Sequence, residues 1–160
     1  MDPVGFAHHD HHSCIAANLS AAEQICQDNG LQFTPVRRRV LEILLHEHRA
    51  LGAYEILDKL RTEGLGSQPP VAYRALDFLV SNGFAHKIEH LNAFAACVHP
   101  GHSHTPMFLI CRACNSVAEA TTQISADTLG KTARAEGFRI EKAVIEAEGL
   151  CPACQTKETA

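Results

Sequence analysis

Apolar positions recur at helical spacing through the first half of the chain and at strand spacing after it. Leu19, Ala22, Ile25 and Cys26 share one helix face, and Asn29-Gly30 stops that segment. Thr34-Pro35 then supplies an N-cap followed by proline at the first helical position. Val36, Val40, Ile43 and Leu44 form the stripe behind it, with Arg37 and Arg38 on the other face. A third helix is predicted from Ala53 to Thr62, with Ile56, Leu57 and Leu60 inward. After the turn "EGLGSQ", a fourth runs through "PPVAYRALDFLVSNG"; Ser67 or Gln68 caps it and Gly83 stops it. Its buried face is Ala72, Ala75, Leu76 and Leu79, which leaves Tyr73, Arg74, Asp77 and Ser81 exposed.

Helix, short glycine-containing turn, helix is the helix-turn-helix pattern. In that motif the second helix reads the major groove from its N-terminal residues, which makes Tyr73 and Arg74 the candidate readers. Arg37 and Arg38 fit either a solvated helix surface or phosphate contacts. "FAHKIEH" and "NAFAACV" alternate as short strands around a turn at Leu91-Asn92. A hairpin in that place is a wing.

The composition shifts at "HPGHSHTP", which predicts a hinge. Beyond it come strands at Met107–Ile110 and Val117–Ala120, a helix over Thr122–Glu136 and a strand over Phe138–Glu146. The expected organisation is a histidine-rich flexible tail (1–17), a winged-helix unit (18–98), a hinge (99–105) and a small α/β unit (106–160). The fold class is therefore mixed α and β. The tail carries His8, His9, His11, His12 and Cys14, and reads as a weak metal-binding tract.

Composition narrows the reading. A hydrophobic fraction of 46% with 20% charged residues suits a folded core. No apolar run approaches the roughly twenty residues a membrane span needs. The start, "MDPVGFAHHDHH", has no basic and apolar leader pattern. A reducing compartment is expected, in which cysteines bind metal or stay free. Net charge is −4, and residues 1–95 hold eight Lys and Arg against eleven Asp and Glu. Nucleic-acid binding must then rest on local placement of charge rather than on bulk charge.

The candidate chemistry is metal binding. "CRAC" (Cys111, Cys114) and "CPAC" (Cys151, Cys154) are two CxxC pairs with thirty-six residues between them. Together they fill a closed tetrahedral four-sulfur shell, which suits structural zinc. Residues 86–119 hold five of the eleven histidines and three of the seven cysteines. His86, Cys97, His104 and Glu119 would give two nitrogens, a sulfur and an oxygen, again a zinc-like set. His90, His99 and His102 are rival ligands. Catalysis is not expected: HExxH, H-x-E before P-C-x-x-C, phosphate loops and G-x-S-x-G are all missing. A zinc storage or chaperone protein would explain the ligands but not the winged helix.

"FTPVRRRVLEILL", "AYEILDKL", "PPVAYRALDFLVSNG", "CRAC" and "VIEAEGLCPAC" resemble, in that order, the ferric uptake regulator family. The resemblance covers Leu19 to Cys154, and the pattern is most similar to the branch governing zinc uptake. It implies a bacterial, cytoplasmic, homodimeric repressor that binds an operator in double-stranded DNA, with no membrane or small-molecule substrate as partner. It implies two zinc ions per subunit, one structural at the four cysteines and one regulatory at His86, Cys97, His104 and Glu119. Tyr73 and Arg74 fall on the DNA-reading pair. Other members of such a family sense iron, manganese, nickel or peroxide. One departure is the histidine run before the first CxxC, reduced here to "HSHTPMF", which offers little for a third metal site.

Overall fold

Four helices and a hairpin form the first of two units into which the chain divides. The structure is a computed structural model that describes residues 11–47, 49–102, 104–121 and 123–158. The first helix, α1 (His11–Asp28), starts earlier than the sequence pattern suggests. Ile15 is buried one turn before Leu19 and extends the stripe through Ala22 and Cys26. Residues 11–17 are therefore helix rather than loose tail, with His12 and Cys14 on its exposed side. The expectation for His8 and His9 lies outside the described residues.

The Thr34 hydroxyl accepts the Arg37 N–H at 3.3 Å and starts α2 (Pro35–His46) as expected. Leu41 joins Val40, Ile43 and Leu44 in the core. The third helix, α3 (Ala53–Thr62), has its predicted bounds. Its N-terminus is held by the Glu55 carboxylate, which accepts the Gly52 N–H at 2.9 Å. Two prolines open α4 (Pro69–Ser81). Gln68 occupies the cap position, but its side chain makes no capping bond. Gly83, at φ +75°, closes the helix in the left-handed region. The Phe84 N–H then reaches back to Leu79 and the Gly83 N–H to Val80. Ile56, Leu57, Leu60, Leu76 and Leu79 are sealed between α3 and α4. Burial of each such side chain stabilises by about 1.5–3 kcal/mol.

The wing is β1 (Ala85–Ile88) paired antiparallel with β2 (Ala93–Ala96), His86 opposite Ala95. Asn92, at φ +47°, makes its turn. Leu51 and Phe94 exchange both backbone hydrogen bonds, each 2.8 Å, and so tie the hairpin to the residues that lead into α3.

The second unit is a three-stranded sheet ordered β4-β3-β5. In it β3 (Pro106–Cys111) runs antiparallel to β4 (Val117–Thr121) and parallel to β5 (Ile145–Gly149). Parallel neighbours need a crossover, and α5 (Gln123–Ala135) supplies it. The strand predicted over Phe138–Glu146 is displaced: only Ile145 and Glu146 of that range are strand. The Phe138 N–H is committed to Ala133 at 2.7 Å, which closes α5, and the ladder begins only where Ile145 meets Met107. A short helix, α6 (Pro152–Glu158), follows Cys151 and has no counterpart among the predicted elements. Its signal is the proline inside "CPAC", at a first helical position.

Candidate metal centre and nucleic-acid interface

The parallel register of β3 and β5 builds the four-cysteine cluster. Cys111 ends β3 opposite Gly149, so Cys151 arrives two residues beyond the end of the neighbouring strand. Asn115, at φ +59°, folds the first knuckle back, with the Cys111 N–H donating to the Ser116 carbonyl at 2.9 Å. The second knuckle is the first turn of α6, where the Cys154 N–H meets the Cys151 carbonyl at 3.0 Å. One sulfur from each of Cys111, Cys114, Cys151 and Cys154 lies within 4.8 Å of the others. Sulfurs about 2.3 Å from a tetrahedral zinc stand about 3.8 Å apart. Cys114 Sγ and Cys151 Sγ are 3.8 Å apart, so the donor set fits zinc in both chemistry and size.

The thiols are already differentiated. The Cys151 N–H, then that of Cys114, holds Cys111 down to about 6. The Ser116 hydroxyl and N–H lower Cys114. The Cys151 sulfur, then burial, pushes Cys154 up to about 12. Backbone donors aimed at sulfur favour thiolate, the form that binds metal.

The other predicted ligands fall into two pairs, one in each unit. In the second unit His104 Nε2 lies 2.8 Å from Glu119 Oε1. Glu119 sits on β4 opposite Phe108 and is 6% exposed, the one buried charged side chain among the described residues. In the first unit His86 lies on β1, and Cys97 follows β2 with its N–H on the Phe84 carbonyl at 2.9 Å. That register puts His86 and Cys97 diagonally on one face of the hairpin. Cys97 is 2% exposed, whereas the rivals His90, His99 and His102 are exposed.

On α4, Tyr73 and Arg74 are both exposed, as the helix pattern predicts. Tyr54 on α3 is a further aromatic group that the sequence pattern alone did not single out. It is 64% exposed and shares with Tyr73 a 330 Å³ hollow bordered also by Asp77, Lys87 and Asn92. Its signal is its position: it flanks Ala53 at the start of α3, off the Ile56, Leu57 and Leu60 stripe. The three consecutive arginines point to different partners. Arg37 lies over the Phe78 ring, Arg38 pairs with Glu23, and Arg39 pairs with Glu42 and Glu63 at 2.9 and 2.7 Å.

A helix-turn-helix with its hairpin wing, followed by an α/β unit carrying a four-cysteine cluster, is the architecture of metal-binding winged-helix regulators. The chain belongs to the ferric uptake regulator family, whose model matches residues 28–148. It is 39% identical over 137 residues to the zinc uptake regulation protein of Escherichia coli (strain K12), spanning 85% of this chain and 80% of that protein. A zinc uptake regulator solved in complex with zinc and DNA superposes with a TM-score of 0.87 at 37% identity, over 91% of this chain and 98% of that one. Holo XcZur gives a TM-score of 0.80 at 40% identity, over 88% and 98%. Among the described residues no helix is long and apolar enough to cross a membrane.

Proposed function

We propose that the chain is a zinc-responsive repressor: its zinc-loaded homodimer binds an inverted-repeat operator and turns off zinc-uptake genes in the bacterial cytoplasm. The observation that carries this reading is the likeness, at 37% identity over 91% of the chain, to a regulator solved with zinc and DNA together. Two zinc ions per subunit are proposed, with separate duties. Cys111, Cys114, Cys151 and Cys154 hold one that closes the second unit; with no open position it supplies stability and no chemistry.

The second zinc is proposed at His86, Cys97, His104 and Glu119, two ligands from each unit. The chemistry of the donors supports this. Glu119 is buried and faces the His104 imidazole at 2.8 Å, so a carboxylate and a nitrogen donor already stand together in one unit. The Cys97 sulfur favours zinc over the harder ions that nitrogen and oxygen alone would accept. Zinc that binds better to the DNA-competent arrangement of the units raises DNA affinity, and DNA raises zinc affinity by the same factor.

Tyr73 and Arg74 are the proposed base readers, Tyr54 a neighbouring contact and Arg38 a phosphate contact. Dimerisation is assigned to the second unit. There β5 is one of the two outer strands of the sheet, and Leu129, Phe138 and Val144 are 42%, 66% and 39% exposed. Apolar surface of that kind is what a second copy would cover.

The test is operator affinity against buffered free zinc, with metal content measured in parallel. Affinity rising with zinc supports the reading. A response to iron, manganese, nickel or peroxide instead would reassign the signal. Zinc uptake with no DNA affinity would favour storage.

A further inference from the structure

We infer that Arg37 aims the recognition helix and does not itself grip DNA. The inference rests on the reading of α4 as the helix that enters the major groove. Arg37 is the third residue of α2 and half-buried. Its guanidinium carbon stands 3.8 Å from the centroid of the Phe78 ring. One guanidinium nitrogen donates to the Gln32 carbonyl, just before α2. Phe78 lies on α4 one turn beyond Arg74, on the same side of the helix.

The chain of contacts continues inward. The Phe78 ring meets Phe84 with centroids 6.4 Å apart and planes tilted by 44°. Phe84 meets Phe33 at 6.3 Å and 55°. Tilted pairs at these separations are favourable aromatic geometry. Phe33 and Gln32 both precede α2, so the aromatic row and the guanidinium join the same loop to the same stretch of α4. A cation over a ring face, with an edge bonded to a carbonyl, is a fixed strut. To straddle a phosphate, Arg37 would have to leave both partners.

The two roles predict different outcomes. Removing a phosphate-binding cation weakens all sequences alike and flattens the salt dependence. Removing a strut lets α4 roll beneath Arg74, which weakens the selected sequence more than an arbitrary one. Binding is measured across a salt series on two probes. One is a duplex selected from a random pool by the zinc-loaded parent protein; the other is its scrambled counterpart.

Arg37→Ala should lower the selected-to-scrambled affinity ratio roughly threefold to tenfold, as removal of one cation–π interaction implies, and leave the salt slope unchanged. Phe78→Leu removes the ring but keeps the cation, and should give the same drop. The double variant should be no worse than either single one, because both break a single link. Phe78→Tyr keeps the ring and should keep the ratio. Helical content and scrambled-duplex affinity should hold throughout, which separates misaiming from unfolding. The proposal is overturned if Arg37→Ala keeps the ratio while the salt slope falls by about one per subunit. It is overturned too if the effects at Arg37 and Phe78 simply add. Arg74→Ala on the same probes separates this inference from its premise. If that variant keeps the ratio, α4 is not the reader and both readings fall. If it lowers the ratio and Arg37→Ala does not, only the strut falls.

Discussion

The two cysteine-bearing sites differ in how much of the fold must be right before they exist. The four-cysteine cluster draws every ligand from one unit, and the register of two adjacent strands brings them together. The proposed sensing set draws His86 and Cys97 from one unit and His104 and Glu119 from the other. The first is therefore a consequence of local folding. The second would make its ligand count a variable that responds to something else, which a sensor needs and a clamp must avoid.

Breaking the clamp should have the largest effect. Structural zinc contributes on the order of 10–16 kcal/mol in small zinc peptides. Cys114→Ser should lose tight zinc and the dimer together. Sedimentation and melting check this, and an unchanged, stable dimer would put the clamp elsewhere.

Cys97→Ala attacks the other site. It should keep the fold and the clamp zinc but lose the zinc-dependent gain in operator affinity, roughly 5–150-fold for a typical coupling. Cys97→His should partly restore metal binding with poorer rejection of cobalt or iron. If Cys97→Ala keeps both its zinc count and its response to buffered zinc, the sensing ligands must be redrawn among His90, His99 and His102.

Arg74→Ala reaches neither metal site. It should cost about 1–3 kcal/mol on the selected duplex, with discrimination relaxed at one base position. Arg38→Ala should instead weaken all duplexes and lower the salt slope by about one per subunit, once the arginine's pairing with Glu23 is allowed for.

The smallest effect is in pH. With zinc stripped, Cys111 has a thiol held down to about 6 by the Cys151 N–H. The stability its thiolate adds is complete above the ordinary thiol value of about 8.5 and is lost as pH falls toward the folded value. The stripped second unit should therefore melt lower at about pH 6 than at about pH 8. Zinc loading at about pH 8 should release fewer protons than the cluster has thiols, measured by calorimetry in two buffers. Equal melting at both values would remove Cys111 as the early thiolate.

What is legible in the sequence follows the same division. The helix starts at Thr34-Pro35 and Pro69-Pro70 are written in residues that have few other uses, and the structure keeps both. The CxxC pairs are legible because two thiols on one knuckle need no distant partner to be recognised. The start of α1 escapes the pattern because one turn holding a single buried apolar residue, Ile15, has no period of its own. β5 is displaced because its limits are set by where β3 begins, not by its own residues. Arg37, Arg38 and Arg39 look alike in the sequence, yet only packing separates the one over a ring from the two in ion pairs.

The reciprocal hydrogen bonds between Leu51 and Phe94 give the wing a mechanical part to play. Phe94 is one residue from Ala95, which faces His86, and Leu51 is two residues from the start of α3. Hairpin and reading head therefore turn as one body, with little slack at the joint. A pull on the imidazole of His86, the proposed zinc ligand, would be carried by these two bonds toward the start of α3, where Tyr54 stands. Leu51→Pro would remove one of the two bonds together with a fully buried side chain, and should loosen the hairpin from the start of α3.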